Sequence, residues 1–332
     1  MDFLLNIIPA AITIATVFLL GSTGETLMEK TGHLNLGIPG IMCFGTVGGC
    51  LGVRLVLVMY GANPENANYF LLVLFALIGC SLLSALAGLI YSFLTVSLKC
   101  NQNVTGLALT TFGGGFADYF MSLINKDGFA DASNIINTPL PFASSLGVFG
   151  KLVLNYNIFV YLAIAIAITV SIVLKRTRVG LSFRAIGENP QTADAVGINI
   201  SKLKYISILV GSMIAGLAGV FYVMCFVGGS YENSSTIQSF GWLSLALVIF
   251  TVWKPDLAIL GSILFGFLFI LPNTIEVSFV VMKVLDLLPY LVTIIVLIIT
   301  SISGKKSVQP PSALGLAYFR EDRWYRKSLI RF

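Results

Sequence analysis

Residues Tyr69–Leu98 read YFLLVLFALIGCSLLSALAGLIYSFLTVSL and contain no Asp, Glu, Lys, Arg or His. About 20 consecutive apolar residues suffice to carry a helix across the hydrocarbon core of a bilayer. Leu152–Leu174, Tyr205–Phe226 and Leu288–Ser303 are equally free of charge. Across all 332 residues, 57% are hydrophobic and 11% charged, whereas a soluble domain carries about 25% charged residues. The chain is therefore read as an all-α polytopic membrane protein surrounded by membrane lipid.

The few charges orient it. The net charge of +5 comes mainly from two places. Lys175–Lys204 has six basic and two acidic residues, and Gly304–Phe332 has seven basic and two acidic. Beside so many spans, the excess of Lys and Arg in cytoplasmic loops accounts for both, and no nucleic-acid partner is needed. Four spans fit between them, at about 205–227, 237–253, 257–272 and 287–303. The turn Trp253–Asp256 then faces the cytoplasm, while Glu232 and Glu276–Asp286 face outward. Five more spans precede residue 175, at about 152–174, 104–124, 69–98, 41–60 and 3–20. Gly61–Asn68 and Asn125–Lys151 are then outer loops and Lys99–Asn103 an inner turn. The count is nine, with eight to ten compatible with a short 237–253 and a long 69–98. The N-terminus is expected outside and the C-terminus in the cytoplasm. The start, MDFLLNIIPA, lacks the basic n-region of a signal peptide, so its apolar stretch is expected to stay as a span. Residues 1–304 form the transmembrane domain and 305–332 a basic cytoplasmic tail.

The segment 21–40, GSTGETLMEKTGHLNLGIPG, interrupts the apolar runs with Glu25, Glu29, Lys30, five glycines and Pro39. It is either a cytoplasmic loop or a broken, re-entrant element beside a polar cavity. Irregular backbone at membrane depth persists only where protein or water satisfies it. Elsewhere, small residues recur at helical spacing, at Gly45/Gly49, Gly48/Gly52 and Gly211/Ala215/Gly219. That spacing lets helix backbones approach closely in lipid.

Chemistry that would power transport is missing. Gly304-Lys305 lacks the preceding glycine of a phosphate-cradling loop, and no GxSxG, HExxH or GxGxxG pattern occurs. His33 is the only histidine and a weak catalytic or metal candidate. Cys43, Cys50, Cys80, Cys100 and Cys225 form no CxxC pair and read as small apolar residues. Arg54 and Asp118 fall near outer ends of spans, and no buried acid–base relay is apparent. The chain is therefore read as no enzyme and as holding no metal or catalytic group. A passive pore, an ion-coupled carrier and the membrane half of a machine powered by another chain all remain open.

One stretch favours the last of these. Lys175–Gly197 reads KRTRVGLSFRAIGENPQTADAVG. Within it Asn189 can cap a helix, Pro190 suits its first turn and Gly197 can end it. A short, capped helix near 188–197 inside a basic cytoplasmic loop looks like a docking element.

Three blocks carry a family likeness. They are Gly24–Gly49 (GETLMEKTGHLNLGIPGIMCFGTVGG), Asn101–Leu109 (NQNVTGLAL), and Gly180–Pro190 (GLSFRAIGENP) running on through Ala193, Gly197 and Ile198 to GSMIAGLAGVFYV. In these the chain resembles ABC-importer permeases of the branched-chain amino acid and simple-sugar superfamily. It is most similar to the branch that serves purine nucleosides together with a basic-membrane-type lipoprotein. Pro39 departs from that branch, which usually has an acidic residue there, and the extra first span of the sugar permeases is missing. The resemblance implies a permease subunit of an ATP-driven importer in a bacterial inner membrane. Its partners would be a cytoplasmic ABC ATPase carrying ATP and Mg, a second, non-identical permease, and a substrate-binding lipoprotein. The ATPase would dock on Arg184, Gly187, Glu188, Asn189, Pro190, Ala193 and Gly197. The same machine could instead carry ribose, another simple sugar or branched-chain amino acids; a stand-alone carrier or channel is the reading of another class. By residue type, Asn35, Asn101, Gln102, Phe112, Tyr119 and Trp242 are candidates for the substrate path, since aromatic faces stack on purine bases.

Overall fold

The computed structural model describes residues 2–61, 63–139, 153–274, 278–303 and 309–319, among which no strand forms. In chain order the helices are α1 (Asp2–Glu29), α2 (Ile38–Tyr60), α3 (Tyr69–Ser92), α4 (Gln102–Leu123), α5 (Phe129–Ile136), α6 (Ile158–Arg176), α7 (Arg178–Glu188), α8 (Pro190–Ala195), α9 (Ile200–Phe221), α10 (Ser234–Phe250), α11 (Pro255–Thr274), α12 (Phe279–Leu285) and α13 (Leu288–Ser303). Single π-helical turns extend α3 through Ser97 and α9 through Phe226.

A long helix stands at each of the nine expected spans. Seven spans are long and apolar enough to cross a membrane. Of the other two, α10 is apolar but short, and α4 is diluted by Thr110, Thr111, Gly113–Gly115 and Asp118. Asparagine starts six of the thirteen described helices: Asn68, Asn101, Asn157, Asn189, Asn199 and Asn233 each accept a backbone N–H of the first turn of α3, α4, α6, α8, α9 and α10. Each such cap satisfies a donor that the helix itself leaves orphaned.

α1, α2 and α9 are the most enclosed helices, with α3, α4, α6, α10 and α11 packed around them. Glycine sets the spacing. Gly45 of α2 meets the backbone of Gly216 on α9, and Gly48 meets that of Gly79 on α3; a methyl at any of these would collide with the facing carbonyl or side chain. An aromatic cluster of Phe18, Phe240, Phe265 and Phe269, with centroids 5.1–6.3 Å apart in successive contacts, joins α1, α10 and α11.

Three boundaries differ from expectation. The irregular element expected near 21–40 is narrower: 21–29 complete α1, and only 30–37 are non-helical. That turn is nonetheless mostly buried. Consequently Glu25 and Glu29, read as part of the interruption, lie fully enclosed at the end of a span. The outer loop expected over Glu276–Asp286 is largely the apolar helix α12, with 275–277 outside the described residues. Of the tail 305–332, only 309–319 are described, and its Lys and Arg residues all lie outside them.

The connecting segments gather at two opposite ends. At one end, Arg54 Nη1 donates to Asp127 O at 3.2 Å and Ser133 Oγ to Met224 O at 2.7 Å. Asp118 there accepts from Tyr231 Oη, Ser234 N and Ser234 Oγ, each at 2.7 Å. The other end collects the 30–37 turn, the start of α4, α7, α8, the 251–254 turn and the tail segment 309–319.

Candidate coupling face and substrate path

The basic stretch after α6 folds as two short helices rather than one. Thr177 breaks the chain and caps α7, its Oγ1 accepting Gly180 N at 3.1 Å. Gly180 sits so close to Val173 O that only glycine fits the reversal. Asn189 is extended (φ −150°, ψ 93°) and starts α8, its Oδ1 accepting Thr192 N at 3.0 Å, with Pro190 in the first turn. Gly197, at φ +85°, ends it; such a conformation favours glycine. The helix expected near 188–197 thus exists as α8, and its caps are the predicted ones.

The seven predicted docking residues divide by exposure. Arg184, Glu188, Asn189 and Gly197 are exposed, and Pro190 is half-buried. Gly187 and Ala193 face inward. Ala193 packs with Ile186 and Ile200 beneath the helices. Gly187 abuts Lys30 O so tightly that a side chain there would strike that carbonyl. These two therefore seat the helices, and the other five lie on the outer face. Lys30 pays for the proximity: burial holds its ammonium below the ordinary lysine range, opposed by the nearby Glu188 carboxylate.

Below this face lies a polar layer that the sequence did not disclose. Glu25 Oε1 accepts Asn35 N at 2.8 Å. Glu29 accepts the indole N–H of Trp253, which reaches it because Val252 and Trp253 both adopt φ +55°. His33 is 2% exposed and neither ring nitrogen has a partner among the described residues; burial, then Lys204, holds its imidazole well below the usual range.

The six substrate-path candidates do not form one cluster. Asn35 is fully buried and turns its amide oxygen to Gly37 N at 2.9 Å. Asn101 caps α4 through Asn103 N and Val104 N. Gln102, also buried, bridges Leu34 N and Leu316 O. These three are committed to backbone. Trp242 is half-buried on α10 against the core. Phe112 and Tyr119, by contrast, are 59% and 62% exposed on one open face of α4. Asn101 and Phe112 line a groove of about 470 Å³ bounded by Tyr91, Leu94, Val104 and Ala108. Phe116 and Phe120 were missed. They follow Phe112 at four-residue steps, and Phe44 stacks on Phe116 at 4.2 Å, so the helical spacing of these phenylalanines was the available signal.

Residues 7–300 match the family described as branched-chain amino acid transport system / permease component. The chain belongs to this family. It is a permease subunit of an ATP-binding-cassette transporter: a multi-pass membrane transport subunit, not an enzyme, acting with an ATPase and other subunits. Among curated relatives, it is 30% identical to the nucleoside ABC transporter permease protein NupC of Lactococcus lactis subsp. cremoris, over 85% of this chain and 88% of that one. It is 28% identical to the guanosine ABC transporter permease protein NupQ of Bacillus subtilis, over 96% and 97%. A Haloferax volcanii protein provisionally named as the glucose ABC transporter permease TsgC13 is 31% identical over 81% and 77%. Family membership leaves the stand-alone carrier or channel without support.

Proposed function

We propose that this permease imports purine nucleosides. The observation that carries the reading is similarity over almost the whole chain to a guanosine permease and, over most of it, to a nucleoside permease. An open α4 face bearing Phe112 and Tyr119 supports it, because every purine offers a π-face for stacking. That face is the candidate substrate path, completed by a second permease that need not be identical. Arg184, Glu188, Asn189, Pro190 and Gly197 receive the ATPase, with Gly187 and Ala193 behind them. A lipoprotein delivers the cargo from outside. ATP and Mg stay on the ATPase. The docking end lies in the cytoplasm, where Lys99, Lys175, Arg176, Arg178, Lys202 and Lys254 also lie, so the N-terminus is outside and the basic tail 305–332 inside. Asn35, Asn101, Gln102 and Trp242 would shape the path from behind rather than touch cargo.

A sugar cargo is the second reading, favoured by the likeness to the glucose-named relative. Uptake of labelled guanosine, adenosine, glucose and ribose, by cells with and without this chain, separates the two. Loss of guanosine and adenosine uptake alone is expected on deletion. Loss of sugar uptake with nucleoside uptake intact would overturn the nucleoside assignment.

A further inference from the structure

The described part of the tail is bound at both sides of a joint. Ser312 Oγ donates to Glu188 Oε2 at 2.8 Å, and Ala313 N donates to Gly187 O at 2.8 Å. Two residues on, Gly315 N donates to Gly32 O at 3.2 Å. Leu316 O accepts Gln102 Nε2 at 3.5 Å, while the same Gln102 side chain accepts Leu34 N at 2.9 Å. Tyr318 Oη donates to Asp194 Oδ2 at 2.8 Å, and Lys99 Nζ lies 4.3 Å over the Phe319 ring. One short, non-helical segment thus fastens α7 and α8 to the α1–α2 turn and to the start of α4.

The joint is built for close approach. Gly32 (φ +80°) would bring a side chain within 3.1 Å of Ala313 O and 3.5 Å of Gly187 Cα. Gly315 takes φ +77°. Ala313 is buried between them. Gly187 of α7 abuts Lys30 O directly, and the tail segment adds hydrogen bonds to both sides of that contact.

We propose that residues 311–319 are a strap that passes movement of α7 and α8 to the α1–α2 turn and α4, with Ser312, Ala313 and Tyr318 as positioning residues. This rests on the reading that α7 and α8 receive the ATPase. On it, Glu188 and Asp194 hold the strap, and the strap itself need not touch the ATPase.

The test uses the complete transporter in liposomes, comparing wild type with Ser312→Ala/Tyr318→Phe and with Ala313→Pro, which removes the N–H bonded to Gly187. Three quantities are read: ATPase retained on the purified complex, ATP turnover, and guanosine uptake per ATP. A fourth needs no cargo. Spin labels at Thr192→Cys and Asn103→Cys, with the exposed Cys100 replaced by Ser, report the distance across the joint with and without ATP and vanadate. The strap variants should retain the ATPase and its turnover, yet lose about tenfold in uptake per ATP, equivalent to about 1.4 kcal/mol of coupling. Their label distances should broaden where wild type keeps one population. Unchanged uptake per ATP, or label distances like wild type in every state, would overturn the strap. If instead Asn189→Ala, with the strap intact, alters neither ATPase retention nor turnover, the docking reading fails, and the label distances still decide whether the strap ties the joint.

Discussion

Asn189→Ala tests the docking helix at its weakest point. α8 has only six residues, Pro190–Ala195, and so short a helix has almost no stability of its own in water. The Asn189 side chain holds Thr192 N at 3.0 Å, and losing such a cap costs about 1 kcal/mol. At that cost the ratio of formed to frayed α8 falls about fivefold. If the ATPase engages the formed helix, its affinity for the permease should fall by a similar factor. The assay is ATPase binding to reconstituted permease, with ATP turnover and uptake read on the same vesicles. Asn189→Asp keeps an acceptor at the cap and should stay within about twofold of wild type, since Asp caps about as well as Asn. Equal binding and uptake in Asn189→Ala, Asn189→Asp and wild type would refute the reasoning, because the cap would then carry nothing that docking needs.

Gly216→Val should prevent folding, since the added side chain would enter Ser84 on α3; overpacking usually costs about 1–3 kcal/mol and backbone crowding more. Loss of the monodisperse detergent-solubilised protein checks this. Orientation is read by labelling from intact cells: Glu65→Cys, exposed at the 63–68 loop, should react with an impermeant thiol reagent, and Thr192→Cys should not. Lys30 sets a pH dependence. Its folded pKa lies below the unfolded value, so between those two pKa values the unfolded state binds more protons and stability rises with pH; below the window the full penalty persists. Lys30→Met should flatten the rise of melting temperature with pH just below the unfolded lysine pKa of about 10.4, and an unaltered slope would exclude Lys30 as its source.

Much of the fold was legible because lipid makes its demands locally. Charge-free runs such as Tyr69–Leu98 and Tyr205–Phe226 marked α3 and α9 without reference to the rest of the chain. Asparagine before Pro190 gave away the start of α8 for the same reason, since a cap bonds within its own first turn. The substrate candidates were less legible. Asn35, Asn101 and Gln102 have side chains that suit a nucleoside, yet the fold spends all three on backbone groups at turns. Residue type cannot show where a hydrogen bond is already committed. Phe112 and Tyr119 stay more than half exposed among the described residues because they lie on the open side of α4.

The end of α1 shows why the remainder was hidden. Two glutamates four residues apart, between glycines, read as a loop or a broken element beside a polar cavity, because an unpaired buried carboxylate is too costly to keep. What keeps them inside is distant in sequence. Glu25 is met by the backbone of Asn35, and Glu29 by Trp253, more than two hundred residues away. Holding Trp253 there takes two consecutive bulky residues at positive φ, each costing about 1–3 kcal/mol. A backbone keeps such strain only where the surroundings over-determine it. Here they do: the 251–254 turn leads directly into α11, whose Asp256 accepts Lys175 Nζ at 2.8 Å at the end of α6. The same turn therefore ties the buried acids of α1 to the helix that leads into α7. The polar layer, the 251–254 turn and the tail segment thus converge on one end of the bundle, beneath the face assigned to the ATPase. A span that ends in buried acids costs stability, and that cost falls beside the face proposed to receive the ATPase.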